Sequence, residues 1–121
     1  MQIIDYQFYV REWAVACFGE EIANDKVERN HRFLEEALEL VQSNGITKDE
    51  CLKLIDYVYN RPIGETKQEV GGVSTTLSAL CAAYNIDLQS CAKDELARVW
   101  TKIEKVRAKQ KAKPKFSPLP E

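Results

Sequence analysis

The sequence predicts an all-α protein, a bundle of four to five helices. Three observations carry this prediction. Apolar residues recur at spacings of three and four along most of the chain, the period of one helix face. Helix start and stop signals punctuate that pattern. No segment alternates apolar and polar residues with the period of two that a strand needs, and there is no internal repeat. At 121 residues the chain suffices for one core but not two. It is therefore read as one helical domain over residues 1–110, followed by a basic, Pro-rich tail at 111–121.

The first helix is expected over "DYQFYVREWAVACFG", with Gly19 as its stop. A second begins near Asp25, where Asp25-x-x-Glu28 resembles a capping box, and runs to Gly45. A third starts at Thr47, where Thr47-x-x-Glu50 is a cleaner capping box, and ends before Pro62. The fourth spans Glu65 to Tyr84, closed by Asn85. Asp87 can cap a fifth, from Leu88 to about Lys109. The tail "KAKPKFSPLPE" carries three prolines, which favour extended chain.

Composition excludes several function classes. No apolar run approaches the roughly 18 residues of a membrane span. The N-terminal "MQIIDYQFYVREW" lacks the layout of a signal peptide. Cys17, Cys51, Cys81 and Cys91 form no C-x-x-C pair and His31 is the only histidine, which argues against zinc. The cysteines are read as reduced core thiols of a cytoplasmic protein. From residue 102 onward seven Lys/Arg face two Glu, a net of +5, so residues 1–101 carry -7. An acidic body is not the basic face of a nucleic-acid binder. It fits a site that collects cations, with a tail that meets something anionic. There is neither G-x-x-x-x-G-K-[ST] nor G-x-G-x-x-G, and nothing around His31 supports a nucleophilic triad.

The stretch that demands an explanation is "HRFLEEALELVQ". Glu35, Glu36 and Glu39 crowd one helix, and like charges there repel. Leu34, Ala37, Leu38 and Val41 form an apolar stripe, edged by Phe33 and Leu40, with Glu36 and Glu39 neighbours on an adjoining surface. The fourth helix repeats the design. Val70, Val73, Leu77, Leu80 and Tyr84 make a core seam, and Glu65, Glu69, Gly72 and Thr76 form a polar line beside it. Packed antiparallel, the two helices would bring two acidic lines together. Converging carboxylates are what hard divalent cations such as Mg2+ require.

At these residues the chain resembles the MazG-like all-alpha nucleoside triphosphate pyrophosphohydrolases, whose signatures are E-E-x-x-E on one helix and E-x-x-D on another. Glu35-Glu36-x-x-Glu39 matches the first signature completely, and Glu69 in "QEVGGV" matches the Glu of the second, with Gly72 at the Asp position. The resemblance covers roughly residues 25 to 105. It implies metal-dependent hydrolysis of an NTP or dNTP to the monophosphate and pyrophosphate, for housecleaning or pool control. Glu36, Glu39 and Glu69 would hold Mg2+, with Mn2+ able to substitute. Glu65, one turn before Glu69, can supply the carboxylate that Gly72 lacks, and Glu35 would hold a further metal or orient the attacking water. The resemblance also implies a homodimer or a dimer of dimers. Its alternative is a catalytically degenerate nucleotide-binding or assembly module.

Other residues have two readings. Lys102 and Lys105 can contact phosphates, as basic residues do here in the family, or offset a helix C-terminus together with Arg107 and Lys109. Arg29 and Arg32 can bind phosphate or pair with nearby Glu. Trp13 can stack on a base or join the core, and Trp100 is read as core. His31 is read as an exposed or hydrogen-bonded helix residue.

Overall fold

The structure is a computed structural model and describes residues 3–112. Among these residues there are six helices and no strand: α1 (Ile3–Ala23), α2 (Lys26–Ser43), α3 (Lys48–Tyr59), α4 (Thr66–Ala83), α5 (Leu88–Trp100) and α6 (Ile103–Ala112). The expected Pro-rich tail lies, from residue 113 onward, outside the described residues. No described helix is long and apolar enough to cross a membrane.

Most of the boundary signals operate as the local chemistry requires. Thr47 Oγ1 accepts from the Glu50 N–H at 3.2 Å, and Glu50 Oε2 accepts from the Thr47 N–H at 2.8 Å, a reciprocal box that starts α3. Gly45 (φ 86) and Asn85 (φ 56) take the left-handed conformation that ends a helix. Three expectations need correction. Gly19 (φ 84, ψ 164) kinks α1 rather than stopping it, and helix resumes to Ala23. Asp25 Oδ1 accepts from the Glu28 N–H at 3.1 Å, so Asp25 caps α2, but the Glu28 carboxylate turns inward to Gln110 instead of closing a box. The expected fifth helix is two helices. The N–H groups of Thr101 and Lys102 donate to carbonyls three residues back, at Arg98 and Val99. Thr101 Oγ1 donates to Arg98 O at 2.7 Å. This tightened turn closes α5, and α6 starts anew at Ile103.

The chain divides into two compact units, one from the described parts of residues 1–34 and 89–121, the other from residues 35–88. In the first unit α1 packs along α6, the one pair of described helices that makes more than isolated contacts. Tyr6, Val10, Trp13, Ala14 and Cys17 line the covered face of α1, and Ala92, Leu96, Val99, Ile103, Val106 and Gln110 continue one face through α5 and α6. Side chains tie these helices to backbone. The Tyr6 hydroxyl donates to Ala92 O at 3.2 Å, and the Trp13 indole N–H donates to Val99 O at 3.2 Å. Arg107 donates from Nε to Cys17 O at 2.8 Å and from Nη2 to Ala16 O at 2.6 Å. These are carbonyls left open where Gly19 interrupts α1, so Arg107 caps the first segment of that helix from α6.

All four cysteines are free thiols, and they differ in access: Cys17 is buried and Cys91 exposed. Burial pushes the Cys17 thiol above its ordinary pKa, only partly offset by the nearby Arg107 and Arg29 charges. Because the thiolate is the reactive form, Cys91 is expected to be alkylated at mildly alkaline pH while Cys17 stays protected until the chain unfolds. Mass mapping of alkylated peptides over time checks this order.

The second unit has a different character. No residue between 35 and 88 is buried, and α3 and α4 contain no buried side chain at all. Their apolar stripes face solvent in the single chain.

Candidate functional site

The acidic cluster sits on α2, downstream of a well-anchored start. Glu28, only 5% exposed, accepts from Gln110 Nε2 at 2.7 Å and pairs with Arg32 Nε at 3.2 Å. The Arg32 contact is an electrostatic pair rather than an aligned hydrogen bond. Arg29 lies over the Phe18 ring at 5.1 Å, and its Nε and Nη2 are buried with no hydrogen-bond partner among the described residues. Burial, more than the neighbouring Arg32 charge, lowers the Arg29 pKa from its ordinary value, and Glu28 and Asp25 oppose the shift. The covered face of early α2 is therefore charged, while Leu34 and Leu38 of the expected apolar stripe are 52% and 41% exposed.

One turn on, Glu35 is half-buried, whereas Glu36 and Glu39 are exposed and three residues apart, so their carboxylates are neighbours on one helical surface. No Lys or Arg occurs from Phe33 to Ser43.

The α4 carboxylates are held at the start of their helix. Glu65 is the N-cap, and its Oε2 accepts from the Gln68 N–H at 2.7 Å. Glu69 reaches back over Gly64, where an added Cβ would collide with Glu69 Oε1. Two carboxylates thus gather at the positive end of the α4 dipole. Nothing lies within 4 Å of where a Cβ on Gly72 would sit. Among the described residues no three His, Cys, Asp or Glu side chains come together in a metal-holding group. The oxygen-only donors suit Mg2+ in kind. The antiparallel packing that would gather them is not present in the single chain, since α2 and α4 make at most isolated contacts.

The other candidates fall in the first unit. Lys102 is exposed at the α5–α6 break, and Lys105 is exposed on α6. Arg32 is engaged by Glu28. Trp13 is half-buried, with its N–H on Val99 and its ring edge-on to Phe18 at 5.5 Å between centroids, which favours its core reading. Trp100 is 41% exposed and does not belong to the core. His31 is half-buried, with Nδ1 buried and unpartnered among the described residues, rather than exposed or hydrogen-bonded there.

Sequence reasoning missed Arg107 as a cap and Glu28–Gln110 as an anchor. Both roles depend on partners more than 80 residues away, for which no local signal exists. No family model, curated protein or solved structure matches this chain.

Proposed function

We propose that the chain is a metal-dependent nucleoside triphosphate pyrophosphohydrolase, converting an NTP or dNTP and water to the monophosphate and pyrophosphate. The observation that carries this reading is the exposed Glu36–Glu39 pair beside Glu35, on a stretch of α2 with no cation of its own. Such crowding destabilises a helix unless a positive ion or a high-dielectric surface relieves it. In this reading Glu36, Glu39 and Glu69 hold Mg2+ or Mn2+, with Glu65 as an added ligand through the oxygen its cap leaves over. Glu35 orients the attacking water, and Lys102 and Lys105 meet the phosphates. The metal, when bound, screens phosphate charge and stabilises the leaving pyrophosphate.

A second reading is favoured by Gly72 and by the cap at Glu65: a nucleotide-binding or assembly module whose metal site has relaxed. Pyrophosphate release from a panel of NTPs and dNTPs, with Mg2+ or Mn2+, separates the two. Metal-dependent release supports the enzyme. Metal-dependent nucleotide binding without release supports the module. Neither would leave "FLEEALEL" a solvated acidic face.

Gly72→Asp sharpens the test. The site is open and lies in a helix interior, where Gly is among the least favourable residues, so the variant is expected to fold with α4 unchanged or slightly firmer. If Glu69 and position 72 share a metal, the Mg2+ concentration for half-maximal activity is expected to fall several-fold. An unchanged metal titration would detach position 72 from the site.

A further inference from the structure

We infer that the α3–α4 unit is half of an interface, and that its occupant is a second copy of this chain. The argument rests on the helices themselves and is independent of the hydrolase reading.

Residues 35–88 form helices without a core. None of them is buried, and α3 and α4 make at most isolated contacts with each other. α3 is 12 residues long, a length at which an isolated helix is marginal in water. α4 carries Gly71 and Gly72 in its interior together with Val and Thr, all poor helix formers. Neither helix persists on local propensity, so packing from outside the unit must stabilise both. The rest of the same chain does not supply it, because the exposures hold with the whole chain present.

The surface to be covered is large and patterned. Ile55 and Val58 on α3, and Val70, Val73 and Tyr84 on α4, follow helical spacing and are 41–65% exposed. From Leu38 to Ile86 fourteen large apolar side chains are at least 39% exposed. At roughly 80 Å² each, about half of what a large side chain carries, they present on the order of 1,000 Å². A monomer's largest apolar patch is only about 300–600 Å². A stable dimer interface needs about 800 Å² from each partner, and obligate interfaces resemble a domain core cut in half.

The occupant follows from that necessity. A segment that cannot hold its helices alone needs its partner whenever it is folded, and the partner always present at synthesis is the chain itself. Two amphipathic helices from each copy, related by a two-fold axis, supply the four helices of a bundle with their stripes inward. α4 carries Glu69 at the border of its stripe, so the proposed interface runs beside that carboxylate.

The test uses the full chain. Sedimentation mass and helical circular dichroism are measured from sub-micromolar to 100 µM, about two decades of concentration. The expected result is a mass of two 13.9 kDa chains or a multiple of two, a Tm that rises with concentration, and helical signal lost together with the dimer on dilution. A 13.9 kDa species with constant helicity and constant Tm overturns the inference, whether its face is left bare or covered by a different protein. Val70→Asp adds a second readout. Val70 is 65% exposed in the single chain, so a monomer would tolerate the change. An interface would not, and the dimer is expected to weaken at least tenfold. If Val70→Asp does not fold, the wild-type dilution series still decides. A monomer that releases pyrophosphate would overturn this inference and leave the hydrolase reading standing. A dimer without activity would do the reverse.

Discussion

Glu36→Gln and Glu39→Gln are each expected to reduce metal-dependent pyrophosphate release about a hundredfold or more while leaving the fold intact. The magnitude follows from the proposed role. Even outer-shell partners of a metal cost about 10–100-fold when removed, and a direct ligand is expected to cost at least the upper end of that range. A hundredfold loss is about 2.7 kcal/mol of transition-state stabilisation. The absence of a structural penalty follows from the geometry. Both side chains are exposed on α2, where substitutions usually stay within about 0.5 kcal/mol. Removing one of three crowded negative charges can even firm the helix slightly. A loss of activity at unchanged Tm therefore reports chemistry, not folding. The paired control is Mg2+ titration of each variant. If the carboxylates hold the metal, more Mg2+ is needed for half-maximal release. If activity and metal response are both unchanged, the acidic cluster is a solvated helix face.

How far the sequence discloses this molecule depends on the range of each interaction. The Thr47–Glu50 box, the turn at Gly45 and the end of α4 at Asn85 involve residues a few positions apart, and all are legible. The break at Thr101–Lys102 was hidden because the apolar period runs through it unbroken: Leu96, Val99, Ile103 and Val106 keep spacings of three and four on either side. The apolar stripes of α3 and α4 were legible as stripes, but periodicity says only that a face must be covered, not by what. Early α2 misleads in the opposite sense. Its covered face holds Glu28 and Arg32, and a polar face packed inward is invisible to hydrophobic patterning. For the candidate site, the sequence names the carboxylates and their neighbours on one helix, but convergence between helices is a tertiary property. Glu65 illustrates the difficulty. One residue type in one place serves as an N-cap and as a candidate ligand, and only the Gln68 contact reveals the first role.

Arg32 brings the structural and chemical readings into direct competition, and Glu28→Gln or Arg32→Met alone is expected to destabilise the first unit by about 3 kcal/mol. The pair is well covered, with side-chain exposures of 7% for Glu28 and 13% for Arg32, and Gln110 adds a 2.7 Å hydrogen bond to the same carboxylate. Removing one partner leaves the other charge in poor solvation, which typically costs about 3–5 kcal/mol; the residual exposure argues for the lower end. Removing both is a different matter. Replacing a buried pair with apolar groups of similar size is often neutral. Glu28→Met with Arg32→Met is therefore expected to recover most of the stability that either single change loses, and urea melts of the four proteins in the cycle measure the coupling. The double variant then isolates the phosphate role. With the fold restored, an Arg32 that only anchors α2 leaves KM and kcat for the triphosphate unchanged. An Arg32 that also meets the substrate raises KM in the double variant as much as in the single one. The two roles read out on different axes, stability and KM, so the cycle assigns each separately.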